Sequence, residues 1–219
     1  MIASELTSEI LAPLDASDTG EEALTIMNVY HVKHLPIVQD NKVLGMISEE
    51  DILGNKMDDK LESYDLRQLD SVARSRDHLF DVMSLMAQSR LTTIPVIDDN
   101  ELYIGMIIQE DLIQFYANSF SFSEPGSIIV LETIKSNYSL SQIAQVIESE
   151  GITILSSFIT SDKDTSNIYV TLKLNKREIS TILATLERYE YNIKASFIDE
   201  ENTDGLKDRY DSLMRYLNV

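Results

Sequence analysis

The sequence predicts an α+β chain: two tandem copies of a small helix–strand–strand–helix unit, then a βαββαβ sandwich and a closing amphipathic helix. Three observations predict it. The stretch "HLPIVQDNKVLGMISEEDIL", His34 to Leu53, returns as "TIPVIDDNELYIGMIIQEDLI", Thr93 to Ile113. Pro36 and Pro95 are 59 apart, while Gly45 and Gly105, like Asp51 and Asp111, are 60 apart. Beyond "NSFSFSEPGS" the pattern changes, and apolar periodicity alternates between strand and helix through residue 198. Last, Leu206, Tyr210, Leu213, Met214 and Leu217 fall on one helical stripe.

Each repeat opens with a helix. In the first copy Ala23, Leu24, Met27 and Val29–Tyr30 lie in "EEALTIMNVY", with Asp18 or Thr19 as N-cap. In the second, Leu79, Val82, Met83 and Met86 keep i, i+3, i+4, i+7 spacing. A short apolar strand follows, opened by a proline ("LPIV", "IPVI"), a position where no ladder donor is required. A polar turn ("QDNK", "DDNE") leads into a second strand ("VLGMIS", "LYIGMII"), and a short helix ("EEDIL", "QEDLIQFY") closes the unit. A unit of about sixty residues buries only around 60% of its chain surface, so the two copies are expected to pack as a pseudo-twofold pair.

The corner between second strand and closing helix carries the chemistry. Ser48 and Asp51 stand three apart across a helix start, where free N–H groups and the dipole favour an anion. A carboxylate there can take both hydroxyls of a ribose, and Gly45 lets a flat ring approach the backbone. Ser48 and Asp51 equally approximate a capping box. The second copy has Ile108 in place of the hydroxyl yet keeps Asp111, which capping alone does not explain. Both readings stay open on spacing.

The apolar-Pro-apolar strand, the turn, and Gly-apolar-apolar-Ser-x-x-Asp resemble a cystathionine-β-synthase (CBS) domain, and two in tandem resemble a Bateman module, over roughly residues 1–118. The resemblance implies β-α-β-β-α units and clefts for adenosine-containing ligands. It gives Asp51 the ribose and Ser48 the phosphate, with Asp111 alone in the second copy. Basic residues before the proline contact phosphate in such proteins. Lys33 and His34 hold those positions in the first copy, Thr92 and Thr93 in the second, with Arg90 slightly upstream. Pro36, Ile37, Gly45 and Pro95 complete the candidate binding set. Glu49 and Glu50 sit where phosphate would lie and oppose each added phosphate. AMP, adenosine or S-adenosylmethionine therefore rank above ATP without magnesium. His31 and His34 lack a third metal ligand nearby, so no metal is expected.

In the remaining third, "SIIVLETI", "ITILSSFIT", "NIYVTLKL" and "YNIKASFI" read as strands around the turn "SDKDTS". One helix carries Leu140, Ile143, Ala144 and Ile147 and ends at Gly151; another carries Ile179, Ile182, Leu183 and Leu186. The β-α-β-β-α-β order gives a ferredoxin-like sandwich. Around "VIESEGITILSS" it resembles an ACT domain, over residues 127–199. Amino-acid-binding ACT domains place a glycine where this chain has Tyr138, which points to dimerisation rather than effector binding. The expected division is 1–59 and 60–123 for the two CBS repeats, 124–200 for the ACT-like domain, and 201–219 for a C-terminal amphipathic helix. As a whole the chain resembles CBS–ACT proteins of the acetoin-utilisation type.

Composition bounds the function. There are 219 residues and no cysteine, which excludes disulfides, thiolate catalysis and cysteine-held metals. A net charge of −19, from 18 basic and 37 acidic residues, leaves no basic stripe for nucleic acid and disfavours anionic membranes. No apolar run reaches the length of a membrane span and "MIASELTSEI" lacks the pattern of a secretory signal, so the expectation is a cytoplasmic protein. No glycine-rich phosphate loop, triad or H-E-x-x-H spacing occurs, and no catalytic residue is assigned. The sequence reading is a non-enzymatic regulatory sensor for a small adenosyl ligand, requiring no cofactor, forming a homodimer and acting on an unknown protein partner. The alternative is a dimerisation scaffold whose ligand clefts have decayed.

Overall fold

The structure is a computed structural model that describes residues 1–8, 10–66, 71–162 and 165–198. The chain divides into two compact units, Met1–Tyr116 and Ala117–Val219. The expected helix at 201–219 lies outside the described residues.

In the first unit, Thr19 starts α1 (Gly20–Val29) through a capping box: its hydroxyl accepts the Glu22 N–H, and the Glu22 carboxylate accepts the Thr19 N–H at 2.8 Å. Asp18 instead accepts the Asp15 N–H. The helix buries Ala23 and Met27, whereas Val29, two-thirds of a turn round from that face, is exposed. Strands β1 (His34–Gln39) and β2 (Lys42–Ser48) form a hairpin. Asp40 and Asn41 turn it with positive φ at both positions, the two-residue geometry that matches strand twist. A short helix, α2 (Glu49–Leu53), closes the first copy.

The second copy follows as β3 (Ala73–Arg74), α3 (Leu79–Ser89), β4 (Thr93–Ile97), β5 (Tyr103–Ile108) and α4 (Gln109–Ser119). The leading strand of each copy is brief: β3 pairs parallel with β4, and in the first copy only Leu14 bridges Ile37 in parallel. Both hairpins break register at the same place, leaving Leu44 and Ile104 as extra, exposed residues.

The prolines are not at strand starts, as the sequence reading had them, but third in β1 and β4. Hydrogen bonds show why this is tolerated. Leu14 donates to the Pro36 carbonyl, and Val38 donates to the Leu14 carbonyl. The missing Pro36 N–H thus faces the brief parallel strand rather than β2, and costs no bond in the hairpin ladder.

The repeats interleave. Met106 and Ile108 of β5 join Leu14, Met27, Leu35, Ile37, Ile47 and Ile52 in the first core, while Ile107 turns to the second core with Leu79, Val82, Met86, Ile94 and Val96. Fully burying each such side chain stabilises by about 1.5–3 kcal/mol. The opening residues belong with the second copy. Ala3 enters its core, Ser8 donates to the Met106 carbonyl at 2.8 Å, and Thr7 lies against Gly105.

The second unit contains β6 (Ser127–Ile134), α5 (Leu140–Ser149), β7 (Ile154–Ser161), β8 (Asn167–Leu174), α6 (Ser180–Arg188) and β9 (Asn192–Ile198). Its antiparallel sheet runs β7-β8-β6-β9, the ferredoxin-like order. One face buries Ile129, Leu131, Ile168, Val170 and Leu172 against Ile143, Val146 and Ile147 of α5 and Ile182 and Leu186 of α6. Leu140, expected on that face, is the first helical residue and is exposed; Val146 takes the place. Gly151 ends α5 in the left-handed region, φ +69. Tyr138 packs against this core from the β6–α5 loop.

Candidate functional site

The two hairpins of the first unit meet through a polar seam at their strand starts. Thr92 Oγ1 accepts the backbone N–H groups of Lys33 (2.8 Å) and His34 (3.1 Å). The Thr92 N–H donates to His34 Nδ1 at 3.3 Å, which fits an imidazole carrying its proton on Nε2. Thr93 is fully buried, and its hydroxyl donates to the His34 carbonyl at 2.7 Å. At the hairpins' other end the Tyr103 N–H donates to the Asn41 carbonyl at 2.8 Å. Thr92 and Thr93 are thereby committed to holding the repeats together.

Beside this seam lies a cavity of about 390 Å³, lined by Lys33, His34, Ser48, Glu49, Glu50, Ser89 and Arg90. Five of these come from the first repeat and two from the second. Arg90 ends α3 in the left-handed conformation, φ 55, and its cap N–H bonds the Met86 carbonyl. Sequence reasoning had tied Arg90 to its own repeat; the fold brings it to the other repeat's corner. Only the pseudo-twofold pairing of the strand starts could have signalled that.

The Ser48–Asp51 corner forms the complete capping box. The Ser48 hydroxyl accepts the Asp51 N–H at 3.1 Å, and Asp51 Oδ2 accepts both the N–H and the hydroxyl of Ser48. The Glu49 N–H donates to the Lys33 carbonyl, fixing the corner against β1. Lys33 Nζ lies 3.9 Å from Glu49 Oε2; both side chains are well exposed, so the pair adds little stability. The cavity wall thus carries Lys33 and Arg90 against Glu49 and Glu50.

The remaining predicted residues are placed differently. Pro36, Ile37, Gly45 and Pro95 are buried, and Ile37 belongs wholly to the core. Asp111 is exposed in the first turn of α4. Ile108, the counterpart of Ser48, is 8% exposed because it packs into the first repeat's core, which accounts for the missing hydroxyl. Another depression, about 400 Å³, lies at the hairpin-tip end and is lined by Lys42, Val43, Val72, Arg74, Ile97, Asn100 and Glu101. Among the described residues no group of three His, Cys, Asp or Glu could hold a metal, and no helix is long and apolar enough to cross a membrane.

Comparison with known proteins names this architecture. Residues 3–58 and 67–118 each match the CBS domain family, so the first unit is a CBS domain pair. An inosine-5'-monophosphate dehydrogenase of Methanocaldococcus jannaschii is 27% identical over 115 residues, 51% of this chain and 23% of the dehydrogenase. The chain spans less than half the length of the first curated relatives it matches, 42% and 23%. Among solved structures, a CBS domain pair/ACT domain protein from Thermotoga maritima is similar to 54% of this chain over 98% of its own length, with 17% identity and a TM-score of 0.48. CBSX2, solved in complex with AMP, is similar over 53% of this chain and 96% of its own, with 18% identity and a TM-score of 0.46.

Proposed function

We propose that the CBS pair is a non-catalytic sensor that takes an adenosine-containing ligand in the cavity between Lys33 and Arg90. The observation that carries this reading is the cavity's shared ownership: residues of both repeats line it. A ligand bridging them favours one arrangement of the pair, and differential affinity for two arrangements is what regulation requires. Asp51 holds the ribose, with Ser48, Lys33, His34 and Arg90 on the phosphate side. Glu49 and Glu50 lower the preference for each added phosphate. AMP, adenosine and S-adenosylmethionine therefore rank above magnesium-free ATP. Asp111 marks a weaker second corner.

In this reading the repeats run 1–59 and 60–123, and residues 124–200 are an ACT-like domain that dimerises the chain in the cytoplasm and meets its protein partner. Tyr138 fills the effector-loop position and packs on the domain core, which supports dimerisation over amino-acid binding.

One observation favours the scaffold reading instead: Asp51 already spends Oδ2 on the helix cap. Calorimetric titration with AMP, adenosine and S-adenosylmethionine separates the two. The sensor binds one of them, loses it in Asp51→Ala and keeps most of it in Asp111→Ala. Equal losses would contradict the assignment of the first corner, and no heat with any ligand would favour the scaffold.

A further inference from the structure

The depression of about 400 Å³ at the hairpin-tip end shares no residue with the strand-start cavity. Its walls come from both repeats: Lys42 and Val43 open β2 in the first, while Val72, Arg74 and Ile97 belong to the second. Ala73 enters the second core, 1% exposed, so strand alternation turns Arg74 the other way, level with Ile97 across the parallel ladder. The turn between β4 and β5 adds Asn100 and Glu101.

The frame is braced by its own hydrogen bonds. The Tyr103 N–H joins the two hairpins through the Asn41 carbonyl at 2.8 Å. Asp98 Oδ1 accepts the N–H groups of Asn100 and Leu102, each at 2.8 Å, and fixes the turn. The Arg74 N–H donates to Asp77 Oδ2 at 2.7 Å, and the Ser75 N–H to the Ile97 carbonyl at 2.8 Å. A frame held in this way loses little freedom when a ligand enters. Charge and wall chemistry then select the ligand. Arg76 pairs with Asp99 at 3.0 Å, whereas among the described residues Lys42 and Arg74 form no ion pair. Among the described lining residues Glu101 is the one carboxylate facing these two cations, which leaves a surplus of one positive charge in a chain of net charge −19. The strand-start cavity sets Glu49 and Glu50 against Lys33 and Arg90 and carries no such surplus. Val43, Val72 and Ile97 are aliphatic, and none of the described lining residues is aromatic, so a nucleobase finds no ring to stack on.

We propose that the hairpin-tip hollow binds a small aliphatic carboxylic acid, as its monoanion, between Lys42 of the first repeat and Arg74 of the second. The planar Arg74 fork suits a carboxylate, Lys42 adds a point charge, and the branched walls cover the alkyl body. A monoanion cancels the surplus charge, whereas a dianion such as phosphate leaves an excess of negative charge on an already acidic protein. The site spans both repeats without the Ser48–Asp51 corner, so it stands independently of the adenosyl reading.

The test is a titration of the full chain with isovalerate, followed by backbone amide NMR. Saturable shifts are expected at Lys42, Val43, Arg74 and Asn100, with none at Lys33, Ser48 or Arg90. Arg74→Gln and Lys42→Gln, both at exposed positions, should each weaken binding by about tenfold. Unfolding midpoints equal to the parent's confirm that these variants keep the fold. Isoamyl alcohol, which keeps the alkyl body and lacks the charge, should not saturate the site, and inorganic phosphate should bind less tightly than isovalerate. No saturable shift with isovalerate, shifts at the strand-start cavity in place of the tip, or undiminished binding in both variants would overturn the inference. So would phosphate binding tighter than isovalerate, which would assign the hollow to oxyanions without an alkyl body, or alcohol binding equal to isovalerate, which would remove the charge from the account.

Discussion

Thr93 Oγ1 donates a 2.7 Å hydrogen bond to the carbonyl of His34, tying the first hairpin strand of one repeat to that of the other. Thr93 is fully buried, so this contact is structural.

Thr93→Val keeps the shape and removes the hydroxyl, leaving a buried carbonyl short of a donor. The expected loss is about 1–3 kcal/mol. Chemical denaturation of the first unit should show it as a lower midpoint at unchanged slope. A variant as stable as the parent would show that the seam does not depend on this bond.

Gly105 has φ +152, and an added Cβ would lie 2.8 Å from Thr7 Cβ. Gly105→Ala is expected to destabilise the first unit by about 1–3 kcal/mol. Thr7→Gly, which clears the collision, should recover part of that in the double variant. Additive losses would assign the whole effect to backbone strain.

Asp51 is both cap and candidate ribose ligand, and Asp51→Glu pulls the roles apart. Glutamate is a usual partner in a capping box, so stability should stay within about 1 kcal/mol of the parent. The carboxylate moves by a methylene, so ligand affinity should fall by about tenfold or more. Asp51→Ala should lose both, with the cap alone worth about 0.5–2 kcal/mol. Retained affinity in Asp51→Glu would remove the ribose role.

Burial pushes the Tyr103 phenol up to about 12. An unfolded tyrosine titrates near 10, so its folded pKa is raised and the neutral form is the one the fold prefers. The associated stability is fully present below about pH 10 and is lost as pH rises toward 12. Ultraviolet titration of the ten tyrosines should show a late step that disappears in Tyr103→Phe. An unchanged titration curve would place that phenol in water.

Much of this architecture is legible in the sequence because it is written twice. The spacing of Gly45 and Gly105 reveals the repeat, and strand periodicity identifies every strand of the ferredoxin-like sheet. Local pattern cannot show the edge toward which Pro36 lacks its donor, so it does not reveal that the proline sits third in β1. Leu140 is exposed where its helical register suggests a core position, because a helix's apolar positions do not reveal where the neighbouring core begins and ends. Arg90 is the larger lesson. Its neighbours in sequence belong to the second repeat, but it lines a cavity with residues of the first, beside the pairing of Thr92 and Thr93 with His34. The capping box at Ser48 is legible in the sequence as one of two readings, and the structure forms it in full.

The measurement that tests the central claim most directly is thermal unfolding of the full chain with AMP, adenosine, S-adenosylmethionine, and ATP with and without magnesium. A ligand at about a hundred times its Kd adds roughly 2.7 kcal/mol. In a chain of this size that raises Tm by about 5–10 °C. The account predicts such a shift with an adenosyl compound, larger than with magnesium-free ATP and abolished by Asp51→Ala. No shift with any of them, or a shift that Asp51→Ala leaves intact, would contradict it.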